Sequence, residues 1–196
     1  MLFPILDKNG VQVAIYPTKV INNTQVMNDG YSHKGRMAID DAGKDVGIDD
    51  FFAPFDAEIE YVEKTGNKTG VQITNIVKVH CQDGSIVNPY TLHHYTYHDN
   101  DISNLEVGQK LKQGQVYYQE GTAGHATGNH VHFNIGKGYY IKGTYPLRKN
   151  EFGNYEVHNE VDPTKIFFIT SDHTIKNTKT IKWTKWVEQL TDYSGT

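Results

Sequence analysis

The sequence predicts an all-β domain, and three observations carry that reading: short segments alternate apolar and polar residues, turn-forming residues separate them, and no helical period is sustained until the C-terminal stretch. Ala57, Ile59 and Tyr61 alternate in AEIEY. Val71, Ile73, Val77 and Val79 do so in VQITNIVKV, and Val131, Phe133 and Ile135 in HVHFNI. Side chains two apart share a face of a strand, so each segment reads as a half-buried strand. Turns are expected at Gly66-Asn67 and Asp83-Gly84, and at Gly108 and Gly114, which frame GQKLKQG. Only Trp183, Trp186, Val187 and Leu190 follow i, i+3, i+4, i+7 spacing, as in a short amphipathic helix or docking segment.

A chain of 196 residues fits one domain with a tail. The expected division is N-terminal lead-in strands over 1–30, a main domain over 31–170 and a C-terminal extension over 171–196. Nineteen basic against 23 acidic side chains give a net charge of −4, so no general attraction to nucleic acid is expected. The opening MLFPILDKNG has no basic lead and interrupts its apolar run at Pro4 and Asp7. It reads as neither a secretory signal nor a membrane span, which points to synthesis in the cytoplasm. The single Cys81 excludes an intramolecular disulfide and a thiolate zinc knuckle.

Histidine is the unusual residue: ten are present, seven of them between His80 and His132. On a strand, His130 and His132 deliver two imidazoles to one side of a sheet while Val131, Phe133 and Ile135 pack the other way. The Gly-rich GTAGHATGN leads straight into that strand, as befits a loop that lets backbone approach a substrate. In SHKGRMAIDDAG, His33 precedes Asp40 by seven positions. Alternation turns Asp40 away from the face shared by Met37 and Ile39 and puts Asp41 on it, which favours Asp40 as a ligand. A solvated or capping Asp pair is the competing reading. Two His and one carboxylate with a position left for water form a catalytic zinc set, which manganese or iron also suits.

These segments are similar to the lysostaphin/LytM-type zinc endopeptidases, which cut peptide cross-links of bacterial peptidoglycan. SHKGRMAID and AGHATGNHVHF resemble the two signature motifs of that family. FFAPFDAEIEYV resembles its strand with an Ala-Pro turn, and HDNDISNLEVGQKLKQGQV its segment in which a His precedes a Val-Gly-Gln-Lys hairpin. The resemblance runs from Tyr31 to Ile135, extends loosely to DPTKIFF, and is nearest to phage-encoded members, whose first motif often has the longer His-to-Asp spacing.

It implies a small antiparallel β-sandwich with the active site in a groove on one sheet, and one zinc per chain held by His33, Asp40 and His132. His98 and His130 would be the catalytic pair. Asp41 stays open beside Asp40 because of the longer spacing, and His93 and His94 compete with His98, whose register to the VGQKLKQGQ hairpin is the better one. The paired His93-His94 otherwise reads as a strand edge or groove rim, and His125 as a loop residue near the groove. Tyr90, Tyr95, Tyr97, Tyr117, Tyr118, Tyr139 and Tyr140 are candidates for an aromatic groove edge.

The implied function is endopeptidase action on stem or cross-bridge peptides of the cell wall, as a phage endolysin or a virion-associated hydrolase. The competing expectation is a wall-binding or structural tail module of the same fold with a secondary or degenerate site. Serine catalysis is poorly supported, since GYSHK places Lys34 where G-x-S-x-G needs Gly.

Overall fold

The structure, a computed structural model, describes residues 2–44, 46–65 and 69–179. The turn expected at Gly66-Asn67 and the helical pattern from Trp183 to Leu190 lie outside the described residues. The first strands are β1 (Gln12–Val13), β2 (Val20–Gln25), β3 (Ile39–Asp41), β4 (Asp50–Phe52), β5 (Ala57–Val62) and β6 (Val71–Asn75). The middle of the chain forms β7 (Val79–His80), β8 (Ile86–Val87), β9 (Leu92–Tyr97), β10 (Lys110–Leu111) and β11 (Val116–Gln119). Then follow β12 (Val131–Lys137), β13 (Leu147–Lys149), β14 (Tyr155–Val157), β15 (Glu160–Val161) and β16 (Thr174–Asn177). A single 3-10 turn, Pro163–Lys165, is the only helical element among the described residues, so the fold is all-β as the alternation predicts.

The main sheet has nine strands in the order β10-β5-β6-β9-β12-β3-β2-β16, with β15 beside the far end of β12. Pairing is antiparallel except for β1 with β7 and β16 with β2, which are parallel. Its inner face carries Ile39, Ala57, Ile59, Val71, Ile73, Val131, Phe133 and Ile135, all essentially inaccessible. These pack against the β4–β11 ribbon through Phe51, Tyr117 and Tyr118, and against Phe167. Phe133 lies 5.7 Å from Phe51 and 6.1 Å from Phe167, both at tilted or edge geometry suited to aromatic quadrupoles. No helix among the described residues is long and apolar enough to cross a membrane.

VQITNIVKV is two strands rather than one. The chain turns after Asn75 so that β7 joins the separate β1-β7-β8 sheet. The corner is made by the fully buried Asn75 side chain, which donates to the carbonyls of Val77 and Asn88 and accepts from the amides of Thr91 and Leu92. One carboxamide thus pairs with four backbone groups at the corner.

The edge or rim reading of His93-His94 is also corrected. Strand β9 is central, between β6 and β12. His94 faces inward among Phe51, Phe133 and Phe167, at 5.7, 5.5 and 5.3 Å between ring centroids. His93 is buried on the outer face, where its Nε2 bonds the His158 carbonyl at 2.5 Å.

Candidate metal centre and cleft

The outer face of the main sheet forms the floor of a cleft of about 760 Å³. In the β3–β12 ladder Asp40 and His132 are directly opposed, and Tyr97 of β9 is opposite His132 on the other side. His33 comes from the loop between β2 and β3. Its Nδ1 is 3.1 Å from the Val26 carbonyl, which fixes Nδ1 as the protonated nitrogen and leaves the Nε2 lone pair free.

His33 Nε2 lies 3.3 Å from Asp40 Oδ1, and His132 Nδ1 lies 3.0 Å from the same oxygen. The three ligand atoms fall within 4.8 Å of one another, and all three residues are buried. Two atoms each about 2.0–2.1 Å from a tetrahedral zinc are about 3.3 Å apart, so the spacing fits such an ion with little adjustment. Burial disfavours the Asp40 carboxylate, yet the hydrogen bond from His132 and the adjoining His33 ring outweigh that and hold its pKa well below the usual carboxylate range. Burial, and after it the Arg36 charge, keep His132 neutral. A carboxylate beside a neutral imidazole is the protonation state a metal requires.

Asp41 is excluded as the ligand. It points to the inner face, where it accepts from the hydroxyls of Tyr16 at 2.6 Å and Thr18 at 3.0 Å and from the amides of Asn22 and Gly43. Full burial outweighs those bonds and raises its carboxyl to about 6.

His98 and His130 stand side by side next to this cluster, 4.4 Å between ring centroids. His130 Nε2 is 3.6 Å from Asp40 Oδ2. Each ring is oriented by a backbone carbonyl at Nδ1: Ala123 for His98 at 2.7 Å and Gly128 for His130 at 2.9 Å. Both therefore keep Nε2 as the basic nitrogen. Burial, reinforced by the neighbouring His130, lowers His98 to about 4, so it is neutral at pH 7 with its Nε2 lone pair available.

The His98 backbone has φ +102°, outside the usual range for a side-chain-bearing residue. It is held there by its amide to Thr69 Oγ1 at 3.2 Å, its carbonyl from Ala123 N at 3.1 Å, and the next amide, Asp99, to the Tyr118 hydroxyl. Gly121 is needed for that loop: a Cβ there would lie 2.2 Å from the His98 carbonyl oxygen. The structure thus brings together all five expected residues, His33, Asp40, His98, His130 and His132.

The cleft walls show what residue spacing did not reveal. Tyr95 and Tyr97 line the cleft as expected, and so does His125, whereas Tyr117 and Tyr118 belong to the core. Tyr31, Tyr145 and Tyr155 complete the aromatic wall. The β13–β14 hairpin brings the last of these, and its Asn154 Nδ2 bonds the carbonyls of Tyr31 and Lys34 at 2.9 and 3.1 Å. Arg36 also enters the cleft; the one signal for it is its place inside the long His33–Asp40 interval.

No protein-family profile matches the chain. Over 152 residues, 76% of its length, it is 32% identical to morphogenesis protein 1 of Bacillus phage B103, and it spans 39% of that protein. Among solved structures it is similar to a zinc-containing peptidase from Vibrio cholerae, with 19% identity, TM-score 0.46, and coverage of 66% of this chain and 39% of that one. It is also similar to the catalytic domain of the prophage-encoded M23 protein EnpA from Enterococcus faecalis: 20% identity, TM-score 0.45, 67% and 96% covered. The catalytic domain of lysostaphin from Staphylococcus simulans aligns at 17% identity and TM-score 0.38, covering 68% and 86%.

Proposed function

We propose that the chain is a zinc-dependent endopeptidase acting on the peptides of bacterial peptidoglycan. The observation that carries this reading is the convergence of His33 Nε2, Asp40 Oδ1 and His132 Nδ1 at metal-ligand spacing, with two carbonyl-oriented imidazoles beside them. Zinc held by these three residues would supply Lewis acidity and make water a nucleophile near neutral pH. The remaining chemistry falls to the protein. Nε2 of His98 or His130 takes the proton from the attacking water and returns it to the leaving amine, and the protonated ring donates to the developing oxyanion. The cleft floor and its tyrosines hold an extended peptide and exclude bulk water from one side. Peptidoglycan as the source of that peptide rests on the resemblance of the four ordered motifs between Tyr31 and Ile135 to wall endopeptidases. The phage relative, named for morphogenesis, supports a phage role, which we read as that of a virion-borne enzyme with or without a part in assembly.

Digestion of purified peptidoglycans of different bridge chemistry, followed by mass spectrometry, tests the reading and identifies the bond. Release of peptides that stops with chelator and resumes with zinc is expected. Wall binding without new amino termini on any of these substrates would refute it in favour of a binding module.

A further inference from the structure

Arg36 is a cation that the proposed chemistry does not use. Its backbone is fixed, with its amide to the His33 carbonyl and its carbonyl from Asn28 N, both at 2.9 Å. From there the guanidinium reaches into the cleft, where Nη2 is 2.6 Å from His132 Nε2 and Nη1 is 3.3 Å from the Ser32 carbonyl. Nε is buried with no hydrogen-bond partner. Arg36 is the only lysine or arginine lining the cleft, and it forms no ion pair among the described residues. The nearby Glu160 carboxylate is already engaged by Met37 N at 2.8 Å and Asn134 Nδ2 at 2.5 Å. A guanidinium stays charged in proteins and its fork matches a carboxylate; Glu160 and Asp40 lie near enough to stabilise the charge, but neither pairs with the fork, which leaves its carboxylate-matching geometry unused.

The contact with His132 does not supply that partner, and it is conditional. Donation from Nη2 requires a lone pair on Nε2, which puts the His132 proton on Nδ1, where it faces Asp40. Ligation through Nδ1 requires the opposite tautomer, which would set two donors against each other. A loaded metal set therefore disfavours the Arg36–His132 bond and leaves the fork available to the cleft.

We propose that Arg36 is the specificity residue of the cleft, binding a free carboxylate on the substrate peptide close to the scissile bond. This deepens the endopeptidase reading and rests on it for the identity of the ligand. It assigns the enzyme to acidic stem peptides rather than uncharged bridges.

The probes are a synthetic stem peptide with a free α-carboxylate on its γ-linked D-glutamyl residue, and its carboxamide twin. Hydrolysis of each is measured with the zinc-loaded full chain and with Arg36→Gln. Binding is measured by calorimetry in a His130→Ala background, with and without Arg36→Gln, so that the peptides survive. The expected results are at least about a tenfold preference for the carboxylate peptide in KM and in affinity, and loss of that preference in Arg36→Gln, read as the ratio between the two peptides within each protein at retained zinc content. Equal treatment of both peptides by the wild-type chain, binding of neither, or loss of zinc in Arg36→Gln each overturns the proposal. If both peptides are cut at equal rates, the endopeptidase reading stands and the Arg36 assignment falls. If the carboxylate peptide is bound through Arg36 but neither peptide nor wall is cut, the assignment stands and the endopeptidase reading falls.

Discussion

Replacing His94 by Leu should flatten the acid side of the stability profile while leaving the cleft intact. His94 is fully buried among Phe51, Phe133 and Phe167, and neither ring nitrogen has a hydrogen-bond partner. Burial lowers its pKa to about 3, against about 6.5 in the unfolded chain. A depressed histidine has no effect on stability well above pH 6.5. As the pH falls below that value the unfolded chain takes up a proton that the folded one refuses, so the folded state loses ground until about pH 3. Between pH 7 and pH 5 the uptake spans about 1.5 units, or about 2 kcal/mol at about 1.4 kcal/mol per unit. At pH 5 this is insensitive to the folded value, which lies well below. Urea unfolding of wild type and His94→Leu at pH 7 and pH 5 gives the comparison, and the difference between the two proteins cancels every other titrating group. At pH 7 the substitution should be nearly neutral, since lost ring contacts are offset by removal of two unpartnered polar atoms. Parallel profiles, or loss of hydrolytic activity in a folded His94→Leu, would refute the inward, non-catalytic placement.

The metal assignment predicts that His33→Ala, Asp40→Ala and His132→Ala each lose bound zinc, read by elemental analysis, and wall hydrolysis with it. Asp41→Ala should instead retain zinc and cost about 3 kcal/mol in urea unfolding, because the Tyr16 and Thr18 hydroxyls lose their acceptor. His98→Ala and His130→Ala should keep the metal and lose about 100-fold or more in kcat, with the pH profile changed. Gly121→Ala should lower kcat about tenfold or more at unchanged zinc content, because its Cβ displaces the His98 carbonyl and so the ring.

The all-β fold and the site were legible because alternation and ligand geometry share a period of two. His132 and Asp40 face the cleft while their neighbours Phe133 and Ile39 fill the core. The same rule gives no reading of β9: in LHHYTY the inward positions are Leu92, His94 and Thr96, and the tyrosines point to the cleft. Both faces of β9 are covered, one by core and one by cleft wall, so hydrophobicity no longer distinguishes them. Asn75 and Arg36 were illegible for another reason. Each derives its role from chain segments distant in sequence, the Asn88–Leu92 turn for one and the His132 ring for the other.

The Asp40-Asp41 pair creates a near ambiguity within β3. A strand that slid by one residue could still offer a carboxylate to His33 and His132, with Asp41 in the place of Asp40 and Ala42 before Tyr16, so the metal ligands alone do not forbid the wrong alignment. What forbids it is Ile39, which pairs with Phe133 and would be carried from the core into the cleft. The fidelity of a polar site therefore depends on one aliphatic side chain that never touches it. A residue inserted between Ile39 and Asp40 severs the hydrophobic reference from the chemistry it aligns.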